Sequence, residues 1–196
     1  MLLTTLTSLF FAAAALAQTP PGFTPNVTST LQVKFGTKSV TPGLALTKAE
    51  TAKIPTIGTS DEALNGTYIF FMIDLDVPGS LVGSTPGTRI TNLHCLLTGF
   101  TSSTTSSAPT TSPSPFYTLI TKDTSLKAYV GPAPPAENPP YAHKYVEILY
   151  AQPAGFKVPS SQTSAVSRGI GFNLTAFVRD AGLGAPVRGN WFTVTG

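Results

Sequence analysis

The chain has 196 residues, of which only 11% are charged, with 12 basic against 9 acidic side chains and a formal net charge of +3. Lys and Arg are scattered along it, with no cluster or basic helix to track a phosphate backbone, so no nucleic-acid partner is expected. Eighteen prolines and seventeen glycines argue against a helical bundle and for a turn-rich, mainly β domain.

Residues 1–17, MLLTTLTSLFFAAAALA, carry no charge, run unbroken apolar from Leu9 to Ala17 and close on Ala15-Leu16-Ala17. This is the pattern of a secretory signal peptide, and its apolar core is about half the ~20 residues of a bilayer span. The expectation is cleavage after Ala17, secretion, and no transmembrane segment. Residues 18–196 then have the size of one compact domain. Asn26-Val-Thr28, Asn65-Gly-Thr67 and Asn173-Leu-Thr175 are glycosylation sequons. Asn26 and Asn65 are the stronger candidates, since Asn173 is also placed to cap a helix. Cys95 is the only cysteine, so no bridge forms within the chain.

Leu31, Val33 and Phe35 alternate with polar residues, as in a half-exposed strand, whereas Tyr68 to Ile73 is a continuous apolar run typical of a strand buried on both faces. Further strands are read at Leu93 to Phe100 and Tyr145 to Gln152. Between them, residues 101–115 (TSSTTSSAPTTSPSP) offer almost nothing to bury and read as a low-complexity surface loop. Short helices are expected from Ser164 to Ile170 and from Asn173 to Asp180, then a last strand at Trp191 to Val194.

The two histidines each lie beside a strand with other polar groups near in sequence. Asp74 and Asp76 end the buried strand, and a two-residue period points them the same way, at a cleft edge. Asp76 is equally suited to organising the turn at Pro78. His94 differs in parity from Leu93, Cys95 and Leu97, so it is expected to face away from all three, leaving Cys95 an inert core thiol. His143, Tyr145 and Glu147 share a face. Gly131-Pro-Ala-Pro-Pro135 is a stiff segment whose glycine is read as a point where a ligand approaches the main chain. No local ligand spacing supports a metal site, and no Gly-x-Ser-x-Gly, P-loop, His-Glu-x-x-His or Cys-x-x-Cys motif is present; no metal or other cofactor is expected.

Asp74-Leu-Asp76-Val-Pro78 resembles the Asp-Pro-Asp-x-Pro box of the phosphatidylethanolamine-binding protein family. Asn92-Leu-His94 resembles its His-containing strand, and Gly131-Pro-Ala-Pro-Pro135 followed by His143-Lys-Tyr145 resembles its Gly-Pro-x-Pro-Pro and His-Arg-Tyr segment. Phe172 to Phe177, Gly182 to Val187 and Gly189-Asn-Trp-Phe192 are similar to its closing pattern. The four motifs occur in the family's order between about Leu31 and Val194.

The resemblance implies a mainly β (α+β) fold: a large central antiparallel sheet, a smaller second sheet and short C-terminal helices. It further implies a small pocket in which Asp74, His94, Gly131, His143 and Tyr145 hold an anion such as phosphate, acetate or a phospholipid head group. Leu75 replaces the family's proline, Cys95 its tryptophan and Lys144 its arginine, and the chain stops at Gly196 without the C-terminal helix of animal relatives. A more open pocket is therefore expected. The leader and sequons resemble those of secreted fungal members, some associated with maleidride pathways. That likeness implies an accessory dimerising cyclase in secondary-metabolite biosynthesis, binding anhydride or carboxylate monomers alongside other biosynthetic enzymes, with His94, His143 and Asp74 catalytic. The alternatives are a non-catalytic binder of phospholipid head groups and an inhibitor of a serine carboxypeptidase.

Overall fold

The structure is a computed structural model that describes residues 17–103 and 116–196. The leader up to residue 16 and residues 104–115 of the low-complexity segment lie outside the described residues. Nine strands form: β1 (Gln32–Phe35), β2 (Lys38–Ser39), β3 (Leu44–Leu46), β4 (Thr56–Thr59), β5 (Tyr68–Pro78), β6 (Arg89–Ser102), β7 (Tyr117–Ile120), β8 (Ala142–Ala151) and β9 (Pro186–Thr195). Two short helices, α1 (Thr163–Arg168) and α2 (Leu174–Asp180), come between β8 and β9. The strands follow one another in the order β2-β1-β4-β7-β6-β5-β8-β9-β3, antiparallel throughout except at β3–β9.

The continuous apolar run of β5 makes it the central strand. Tyr68, Phe70 and Met72 enter a cluster with Leu31, just before β1, and Val33 of β1, while Ile69, Phe71 and Ile73 enter a second cluster with Phe172, Leu174 and Phe177 around α2. The main layer β6-β5-β8-β9 is thus covered on one face by the small strands and on the other by the helices, as an all-apolar strand requires. Each such side chain stabilises the fold by about 1.5–3 kcal/mol on burial. Asn173 caps α2, its Oδ1 accepting from Ala176 N–H at 2.9 Å.

Two expectations need correction. Strand β6 continues through Ser102, with Thr101 and Ser102 pairing with Ile120 and Leu119, so the first two residues read as loop are strand. The parity argument for His94 also fails. The ladder pairs Met72 with Cys95 and then Ile73 with Leu93, leaving His94 as the extra residue of a β-bulge. Leu93 and Cys95 consequently lie in opposite clusters, and His94 does not face away from both. No helix among the described residues is long and apolar enough to cross a membrane.

Candidate ligand pocket

The ends of β5, β6 and β8 meet the proline-rich segment before β8 at a cavity of about 250 Å³, lined by Asn92, His94, Gly131, Pro134, His143 and Tyr145 with Asp74 at its edge. All five residues expected to hold a ligand therefore border one cavity. A Cβ on Gly131 would come within 3.0 Å of Thr51 O, so the missing side chain admits the Thr51–Ala52 backbone behind the cavity wall.

His143 is 1% exposed and lies between two carboxylates. Nδ1 is 2.9 Å from Asp74 Oδ2 and Nε2 is 3.0 Å from Glu137 Oε1. Carboxylate oxygens only accept, so each ring nitrogen carries a proton and the ring is an imidazolium. Burial alone would lower its pKa, but hydrogen bonding and charge from Asp74 and Glu137 outweigh this and hold it above the usual histidine value. Glu137 is gripped on its other side by the Arg89 fork, Nη1–Oε1 at 2.9 Å and Nη2–Oε2 at 2.8 Å. The hydrogen bond from Arg89, more than that from His143, keeps the Glu137 carboxyl below the usual range.

His94 is wired differently. Nδ1–H donates to Val130 O at 2.7 Å, and Val130 N–H returns a bond to His94 O at 2.9 Å. Nε2 is then the acceptor, taking Asn92 Nδ2–H at 3.2 Å. Burial lowers the pKa of this imidazole despite the Val130 bond, so it is neutral. Asp74 orients His143 and not His94. Of the two rings, His94 alone has an unprotonated nitrogen, and its lone pair is held by Asn92 at the pocket wall.

Tyr145 stands between them, its ring edge-on to His94 at 5.2 Å and stacked on Phe192 at 5.3 Å. Its hydroxyl is fully buried and meets no acceptor at hydrogen-bond geometry. Burial, followed by the nearby Asp74 charge, pushes the phenol well above its ordinary pKa, so it remains a donor. Asp76 does not line the cavity. It accepts from Lys144 N–H at 2.8 Å, Lys144 Nζ at 3.2 Å and Tyr141 Oη–H at 3.1 Å, which clamps β5 to the start of β8. Cys95 is wholly buried, and desolvation drives its thiol pKa far upward, leaving it inert.

Glu137, Arg89 and Asn92 were not singled out as site residues by sequence reasoning. The signal for Glu137 was modest: it is the one acid in the stretch Gly131–Tyr141. Among the described residues no group of three or more His, Cys, Asp or Glu is gathered to hold a metal ion. A larger cavity of about 380 Å³ borders Phe23, Leu75 and the start of α2, but its one charged residue, Arg89, gives its guanidinium to Glu137. The asparagines of the three sequons are all exposed.

The family model of the phosphatidylethanolamine-binding protein matches residues 23–192, taking in β1 to β8, most of β9 and every pocket residue just described. The chain belongs to the phosphatidylethanolamine-binding protein family. It is 31% identical to the phomoidride biosynthesis cluster protein N of Talaromyces stipitatus, over 94% of this chain and 93% of that one. It is also 31% identical to a 26 kDa secreted antigen of Toxocara canis, over 76% of this chain and 50% of that one. Among solved structures, a carboxypeptidase Y inhibitor in complex with its cognate proteinase superposes with a TM-score of 0.62 at 19% identity, covering 86% of this chain and 84% of that one. A phosphatidylethanolamine-binding protein from Plasmodium vivax does so at 0.50 and 20% identity, covering 84% and 83%. These two structures establish the fold, a large curled sheet with few short helices.

Proposed function

We propose that this family member is a secreted accessory protein of secondary-metabolite biosynthesis that binds anhydride or carboxylate monomers in the His94–Tyr145–His143 pocket and promotes their dimerisation. The observation that carries the reading is the 31% identity, along nearly all of both chains, to a protein named for a phomoidride biosynthesis cluster. The leader and the sequons at Asn26, Asn65 and Asn173 support export and glycosylation.

The pocket chemistry is consistent with that role. Tyr145 Oη–H is a buried donor without an acceptor, which a carbonyl oxygen would satisfy, and the same bond strengthens if that oxygen becomes an enolate. His94 Nε2, on release of the Asn92 amide, is the nitrogen suited to take a proton from the alkyl carbon attached to the anhydride double bond, the electron pair passing through that double bond to the carbonyl oxygen, since His143 has no lone pair to offer. His143, held between Asp74 and Glu137, has its charge balanced by these carboxylates, so the Tyr145 hydroxyl is the group left to meet the developing anion. Bringing two monomers together in one orientation then lowers the entropic barrier to joining them.

The test is dimer formation from an alkylated maleic anhydride, followed by mass spectrometry, with leader-free protein alone and with its pathway enzymes. Dimer yield should rise with protein and fall to the background rate in His94→Ala. An unchanged yield in every mixture would remove dimerisation from the role. Saturable binding of phosphoethanolamine in preference to the anhydride would instead make the protein a head-group binder.

A further inference from the structure

The seat on His143 is already filled by an anion, and that anion belongs to the chain. Glu137 Oε1 lies 3.0 Å from Nε2 of His143, in the place where a ligand carboxylate or phosphate would take its strongest hydrogen bond. Arg89 holds the same carboxylate with both arms, lies 3.7 Å over the Tyr141 ring and donates Nη1–H to Asp76 O at 2.9 Å. Arg89, Glu137, His143 and Asp74 thus form a closed row of alternating charge, cation to anion to cation to anion, with no net charge left to attract a further anion.

From this geometry we infer that Glu137 is a specificity-determining residue: an internal anion that closes the His143 seat to free phosphate and carboxylate and reserves the pocket for an uncharged carbonyl ligand. The inference rests on the reading of this cavity as the ligand site. A free anion entering would have to break two bonds from Arg89 and one from His143, then leave a second carboxylate beside itself in a poorly hydrated cleft. A neutral carbonyl needs none of this. It meets Tyr145 Oη–H, which has no acceptor at hydrogen-bond geometry, and the apolar wall of Pro134 and Ile170. In monomer terms this narrows the proposed ligand, anhydride or carboxylate, to the closed anhydride, with its hydrolysed diacid rejected.

The experiment is a pair of calorimetric titrations of leader-free protein, with inorganic phosphate and with dimethylmaleic anhydride, at about pH 5, where the anhydride stays closed and Glu137, held down by Arg89, stays ionised. The proteins are wild type, Glu137→Ala, Glu137→Gln and Glu137→Ala/His143→Ala. Phosphate affinity should rise about tenfold or more in Glu137→Ala, the scale of one charge-assisted hydrogen bond, and by a smaller factor in Glu137→Gln, which keeps the side-chain volume should the alanine variant fold poorly. The double variant should lose the gain, and anhydride affinity should change by less than about threefold in either single variant. Phosphate binding equal to or weaker than wild type in both single variants overturns the inference, as does a gain that survives loss of His143. The anhydride arm separately tests the ligand reading: wild type that ignores the anhydride sinks that reading even if the phosphate gain at Glu137→Ala appears.

Discussion

His143 and Glu147 project from the same face of β8 with Tyr145 between them, and they accommodate a buried titratable group in opposite ways. His143 is charged because both its nitrogens have a carboxylate partner. Glu147, fully buried beside Met72, Cys95 and Tyr129, has no partner for either oxygen; desolvation raises its pKa well above the carboxylate range, and it is neutral. The adjacent Asn190 offers no help, since its Nδ2 hydrogens go to Leu31 O and Val40 O. Over these five residues β8 passes from a wired rim at the cavity to an apolar core that contains an acid. The rim depends on its charges, whereas the core would be better without its acid.

The most damaging way to break this contrast is His143→Ala, which leaves Asp74 buried opposite an empty space and Glu137 short of a donor. Loss of one partner from a buried ion pair costs about 3–5 kcal/mol, and the lower end applies here because Glu137 can turn to solvent. Urea unfolding at neutral pH should show it, and a loss under about 1 kcal/mol would mean that the pairs are not formed in solution. The sign with pH follows from the raised pKa of His143: its contribution is complete below the unfolded value near 6.5 and disappears as pH rises through the folded value. The gap between wild type and His143→Ala should therefore narrow in alkali.

The opposite sign is expected at the other end of the comparison. Glu147→Met keeps the volume and removes two unsatisfied oxygens, so it should stabilise by about 2 kcal/mol at neutral pH. Because burial raises the pKa of Glu147, wild type should lose stability as pH climbs from the unfolded carboxyl value of 4.5 toward the folded one. The variant should lack that slope. A thermal-melt series from acid to neutral pH checks both, and a destabilised variant would point to a polar role for Glu147 inside the core.

How much of this is readable from sequence depends on local regularity. The double-faced burial of β5 follows from the unbroken run Tyr68–Ile73, and the shared face of His143, Tyr145 and Glu147 follows from parity, because β8 keeps its register with β9 from Ala142 as far as Leu149. His94 escaped the same arithmetic because a bulge inserts it between Cys95 and Leu93. Glu137 escaped because the loop Gly131–Pro140 has no period from which to infer a direction, and its clamp, Arg89, is 48 residues distant. The short strands β3, β4 and β7 were unread for a related reason. At three or four residues each they are too brief to alternate visibly, and they exist as edges and covers for longer partners. The gathering of Asp74, His94 and His143 in one place came from the family resemblance, since spacing alone brings no two of them together.

The smallest change in stability falls between the two ends, at Tyr145. Removing its hydroxyl in Tyr145→Phe breaks no hydrogen bond and keeps the stack on Phe192, so the melting temperature should stay level or rise slightly, within about 1 kcal/mol. Binding should respond in the reverse sense, with affinity for a neutral carbonyl ligand falling about tenfold through loss of a buried donor placed to meet it. A variant that binds as well as wild type would show that the hydroxyl is only a tolerated defect, like the oxygens of Glu147. A variant that is stable yet blind to ligand would separate the two kinds of unsatisfied group on this strand. The hydroxyl of Tyr145 would then be kept, at a small cost in stability, for a partner the chain itself does not supply.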